Sequence, residues 1–122
     1  MSQTTTLILL PQTTWVNTGN SAVYTVTGNS QPAAAYYLGN RDLQTVNIKL
    51  SGVTGNIVIE ASLATTPTSD DWFKVYELAA NANANVNSNA STYYNVEGNF
   101  VYMRAKIEDF SSGIVQFVKL SY

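Results

Sequence analysis

The sequence predicts an all-β fold: an antiparallel two-sheet β-sandwich, jelly-roll-like in strand order, with an immunoglobulin-like order as the alternative. Three observations predict it. Apolar and polar residues alternate with a period of two along several segments, and Gly, Asn, Ser and Pro punctuate the chain roughly every eight to twelve residues. In addition, no long window carries the three-four spacing of a capped amphipathic helix. With 122 residues, the chain has the length of one β-sandwich domain spanning 1–122.

In chain order, the weaker strands are predicted at Thr5 to Leu10, Ala22 to Thr27 and Tyr36 to Leu38. Gly28 to Ala35 reads as an extended loop between the last two. The clearest strand is Thr45 to Leu50, where Val46, Ile48 and Leu50 face one way and Thr45, Asn47 and Lys49 the other. After the turn-forming run Ser51 to Asn56, Ile57, Ile59, Ala61 and Leu63 alternate with Val58, Glu60 and Ser62, which predicts a hairpin. Strands are then predicted at Trp72 to Leu78 and Thr92 to Val96, separated by the Asn/Ala-rich run Ala79 to Ala90. Asn and Ala have low strand preference, so that run reads as a loop rather than an edge strand. A second hairpin follows. Val101, Met103, Ala105 and Ile107 form one apolar face, a turn spans Asp109 to Gly113, and Ile114, Gln116, Val118, Leu120 and Tyr122 oppose Val115, Phe117, Lys119 and Ser121.

Composition narrows the function classes. Hydrophobic residues are 45% of the chain and charged ones 11%, with a net charge of −2, so the surface is polar but nearly uncharged. Such a surface suits a subunit packed against neighbours. The basic residues Arg41, Lys49, Lys74, Arg104, Lys106 and Lys119 are scattered, which argues against nucleic acid as a partner. The longest early apolar run, Leu7 to Leu10, is too short for a membrane span or a signal-peptide core; neither membrane nor export is expected.

The chain has no His and no Cys, which removes Ser-His-Asp and Cys-His catalysis and thiolate zinc sites together. Paired carboxylates remain only as Asp70-Asp71 and Glu108-Asp109. Adjacent strand residues point to opposite faces, and both pairs adjoin predicted turns, where carboxylates hydrogen-bond locally. No enzyme activity, catalytic residue, metal site or cofactor is expected. Arg104 is expected to pair with Glu60 or Glu97, or to cover an aromatic ring.

Aromatic residues are the most informative side chains, with eight Tyr against four Phe. A Tyr ring can bury its body and keep its hydroxyl wet, as at subunit interfaces and sugar platforms. In Tyr36-Tyr37 and Tyr93-Tyr94, consecutive positions place one ring inward and one outward. The contact candidates are Trp15, Tyr37, Tyr93 and Phe117, while Trp72 is expected to plug one end of the sandwich. The segment Ser2 to Pro11 is a candidate for adding a strand to a neighbour.

In the C-terminal half, the run Asp71-Trp72-Phe73-Lys74-Val75, the stretch Tyr94 to Ala105 containing Gly98-Asn99-Phe100 and Arg104, the Ser112-Gly113 turn and the closing Val118 to Tyr122 form a pattern. This pattern resembles small β-sandwich virion proteins of tailed bacteriophages, seen as head decorations or tail accessory modules. The resemblance spans roughly residues 57 to 122 and implies a core position for Trp72. It also implies a non-enzymatic subunit, made in the host cytoplasm and resident in the virion, whose partners are capsid or tail proteins and copies of itself. Carbohydrate-binding jelly rolls of the discoidin type share the Arg-bearing penultimate strand and the closing strand. They make recognition of a host glycan the alternative, although this chain lacks their usual calcium loop and exposed Trp pair.

Overall fold

Two strands dominate the computed structural model, which describes residues 6–16, 23–38 and 42–122. β5 (Leu43–Ser62) and β8 (Tyr102–Ser121) are each 20 residues long. At ~3.3 Å per residue a straight strand of that length would run roughly 65 Å, about twice the diameter of a compact domain of this size. Both therefore bend midway, and they bend together. They pair antiparallel from Thr45↔Ser121 to Ser62↔Tyr102, with register shifts between Lys49 and Asn56. At the bend Gly52, Gly55, Asp109 and Gly113 all have positive φ. A Cβ at Gly113 would overlap the Gly52 carbonyl, so the two strands cross the corner with their backbones in contact.

The remaining strands line these two on either side of the bend. β1 (Thr6–Leu10) and β2 (Thr13–Thr14) pair with the C-terminal half of β8; β3 (Tyr24–Thr27) and β4 (Gln31–Pro32) pair with its N-terminal half. β7 (Ser91–Glu97) pairs with the N-terminal half of β5, and β6 (Phe73–Ala80) with its C-terminal half. The result is one curled antiparallel sheet. Its first half runs β1–β8–β5–β7 and its second β3/β4–β8–β5–β6.

Curling brings the apolar faces of both halves into a single core. Val46, Ile48, Val118 and Leu120 come from the first half, Ile57, Ile59, Met103, Ala105 and Ile107 from the second, and Phe110 from the corner, all fully buried. Phe110 meets Tyr24 edge-on at 5.7 Å. The halves also close along their edges. On one side Tyr94 of β7 stacks on Tyr76 of β6 with centroids 4.0 Å apart. On the other, a Cβ at Gly28 would overlap the Leu9 carbonyl, and Gln31 Nε2 donates to the Ile8 carbonyl.

One end is pinned by Gln44, which is 1% exposed. Its Nε2 donates to the carbonyls of Val96 (2.9 Å), Asp42 (3.1 Å) and Gly98 (3.3 Å), and its Oε1 accepts from Ala34 N (3.2 Å). Both ends of the amide are satisfied, so its burial costs little.

Several expectations change. The two predicted hairpins, at Ser51–Asn56 and Asp109–Gly113, are instead the bends of two continuous strands, because positive-φ residues serve a bulged corner as well as a turn. Tyr36 to Leu38 is part of a helical turn, α1 (Ala34–Leu38), favoured by the Ala run and started by the Gln44 acceptor. In the last strand the bulge at Gln116 shifts the phase: Val115, not Ile114, is buried alongside Val118 and Leu120. The described part of Ser2 to Pro11 pairs with β8 of its own chain. The Asn/Ala run is the expected loop only from Asn81 onward, with one bridge at Asn81↔Val86 and positive φ at Asn85 and Asn87, while Ala79 and Ala80 end β6.

Candidate interaction face

Each half of the curled sheet has an outer face, and side-chain parity fixes what it carries. In the second half, the outward residues are Glu60, Arg104, Lys106, Glu108, Lys74 and Glu77. Glu60 accepts from Arg104 Nε at 2.8 Å and lies 3.4 Å from Lys106 Nζ; Lys106 also pairs with Glu108 at 3.3 Å, and Lys74 with Glu77 at 3.3 Å. Trp72 lies against the Arg104 guanidinium, 4.3 Å from Cζ to ring centroid. Trp72 therefore sits on this outer face, not in the core position implied by the resemblance. Long stems and the indole cover the sheet beneath them. Val58, Glu60 and Ser62 point outward yet are 3%, 8% and 0% exposed. This face closes itself.

The outer face of the first half is built differently. Its cross-strand rows are Thr6–Ser121–Thr45–Asn95, Ile8–Lys119–Asn47–Tyr93 and Phe117–Lys49–Ser91. Hydroxyls and amides dominate, with Thr6 Oγ1 3.0 Å from Ser121 Oγ and Thr45 Oγ1 donating to Asn95 Oδ1 at 2.8 Å. Tyr93 stands 68% exposed, the most exposed large apolar residue described. Phe117 is half-buried under the Lys119 ammonium, 4.2 Å from its ring centroid. Asn47, Lys49, Ser91 and Asn95 are exposed. Among the described residues nothing covers this face.

The four contact candidates from the sequence separate accordingly. Tyr93 and Phe117 share the open face. Trp15 lies at the bend, its main-chain N–H donating to the Gly113 carbonyl at 2.9 Å and its ring packed on the core. The side chain of Tyr37 falls outside the described residues. Tyr94 lies on the opposite side of the sheet from Tyr93, as alternation requires, across from Val46 and stacked on Tyr76, yet it remains 41% exposed. Sequence reasoning did not reveal Ile8, Asn47 and Asn95 as neighbours of Tyr93, because register between distant strands sets that row. Elsewhere, the Asp71 carboxylate accepts from Thr68 N and Oγ1. Among the described residues no group of three or more carboxylates converges, and no helix is long and apolar enough to cross a membrane.

No known protein family, curated protein or solved structure matches this chain.

Proposed function

We propose that this chain is a non-enzymatic structural subunit of a virion, packing through the outer face of its first half onto a capsid or tail surface. The observation that carries this reading is the contrast between the two outer faces. One has its charges paired and its sheet covered, while the other exposes an ordered row of hydroxyls, amides and aromatic rings with few charges to desolvate. Such a face can be buried against protein at low electrostatic cost, with Tyr93 as a rigid anchor.

The curled sheet is best described, in our reading, as a jelly roll. Numbering its half-strands in chain order from 1 to 8, with β1/β2 and β3/β4 taken as one each, gives the orders 1-8-3-6 and 2-7-4-5 on the two sides of the bend. Those orders support a jelly roll over an immunoglobulin-like arrangement, and jelly rolls serve both capsids and lectins.

A glycan partner is the second reading, favoured by the Tyr93 ring standing in one row with the Asn47 amide and beside Asn95. The test is co-sedimentation of the chain with assembled phage particles, alongside glycan-array binding. Particle binding that falls at least tenfold in Tyr93→Ala supports the structural role. Array binding lost in the same variant, with no particle binding, supports the glycan role, and binding to neither rejects both.

A further inference from the structure

Sheet edges offer main-chain groups to other strands unless something guards them. Among the described residues the sheet has four edges, and three of them are guarded. β1 has a register break between Ile8 and Leu10 and is followed by Pro11; β3 and β4 carry a break between Tyr24 and Val26 and end at Pro32. β6 is interrupted opposite Ile59–Glu60 and carries the Lys74–Glu77 pair. β7 has none of these. Its register runs unbroken from Leu43↔Glu97 to Lys49↔Ser91, and its sequence Ser91-Thr92-Tyr93-Tyr94-Asn95-Val96-Glu97 contains no proline and no basic residue.

The direction of its main-chain groups follows from two flanking bonds. Gly98 N donates to the Asp42 carbonyl and Leu50 N to the Ala90 carbonyl. Antiparallel alternation then turns the N–H and C=O of Thr92, Tyr94 and Val96 toward β5, and those of Ser91, Tyr93, Asn95 and Glu97 toward the free edge.

We propose that β7 pairs antiparallel with β7 of a second copy of this chain, about a two-fold axis at Tyr94, extending the first half into one sheet across the dimer. Charge selects both the occupant and the register. Lys49 and Glu97 are exposed on the open face, and neither joins an ion pair among the described residues. Pairing centred on Tyr94 sets Glu97 of one copy opposite Ser91 of the other, and Ser91 lies directly across from Lys49. Two strand spacings, about 10 Å, separate the two backbones. Extended lysine and glutamate side chains together span that distance over the small Ser91. The two-fold repeats the contact, so both lone charges of each copy find partners. All four outward-bonding residues of β7 are used, and Tyr93 comes opposite Asn95 of the other copy.

Sedimentation velocity of the full chain over a concentration series tests this. A monomer–dimer equilibrium is expected. Lys49→Glu and Glu97→Lys should each weaken the dimer by about tenfold or more, since each replaces two attractions by two repulsions. The double exchange should restore it. Asn95→Pro removes an outward N–H and no main-chain bond to β5, giving up only the exposed side-chain bond from Thr45, so it should leave the circular dichroism unchanged and give a monomer. A chain monomeric at every concentration overturns the proposal, as does a dimer indifferent to both charge reversals. The pairing does not rest on the particle-packing reading: a monomer that binds particles rejects the pairing alone, and a dimer that binds none rejects the packing alone.

Discussion

The two halves of the sheet share their long strands, their bend and their core, yet their outer faces differ in almost every physical respect. In the second half, Glu60, Arg104 and Lys106 form a connected set roofed by Trp72, and the outward side chains of β5 there are buried. In the first half, the outward positions of the same strand, Thr45, Asn47 and Lys49, are half-buried or exposed. Because the same two long strands run through both halves, pairing alone does not require the difference. A face left open among the described residues that still displays an ordered aromatic and amide row is available for a partner.

Breaking the corner should remove the comparison altogether, since the halves then no longer face each other. Gly113→Ala puts a methyl group into the Gly52 carbonyl at a φ of 89°, and Phe110→Ala empties the corner of the core. The phenylalanine change should cost about 3–5 kcal/mol, read by urea unfolding, and the glycine change should prevent cooperative folding as judged by near-UV circular dichroism. Gln44→Leu sharpens the comparison at the pinned end. It strips the Ala34 N–H of its acceptor in a buried setting and should cost about 2 kcal/mol. The first half would then loosen at α1 and the end of β7, visible as faster amide exchange at Ala34 and Gly98.

Much of this arrangement was legible in the sequence and some was not, for identifiable reasons. Strict alternation in Thr45–Leu50 fixed which residues face inward, and the same parity separated Tyr93 from Tyr94. The bends were not legible. Gly52, Gly55 and Gly113 signal a backbone of positive φ, and a hairpin turn and a bulged corner demand the same residues; only pairing with a distant strand distinguishes them. The phase slip at Gln116 has the same origin, and it turns Val115 inward in place of Ile114. Arg104 was placed correctly between its two expected roles, since it pairs with Glu60 and covers an aromatic ring at once. The location of Trp72 is not legible, because a tryptophan beside a strand is equally suited to a core and to a cation–π roof.

Smaller effects separate the faces most sharply. Arg104→Met leaves Glu60 with Lys106 as its remaining cation and removes the platform beneath Trp72. This change should cost about 1–3 kcal/mol, accompanied by a red shift of the Trp72 emission as the indole gains water.

Comparative urea unfolding of Tyr93→Ala and Arg104→Met tests the division of the two faces most directly. We expect Tyr93→Ala to stay within about 0.5 kcal/mol of the unaltered chain while Arg104→Met loses several times that amount. Equal losses in the two variants, or a larger one from Tyr93→Ala, would show that the open face is part of what holds the fold together and contradict its assignment as the contact surface.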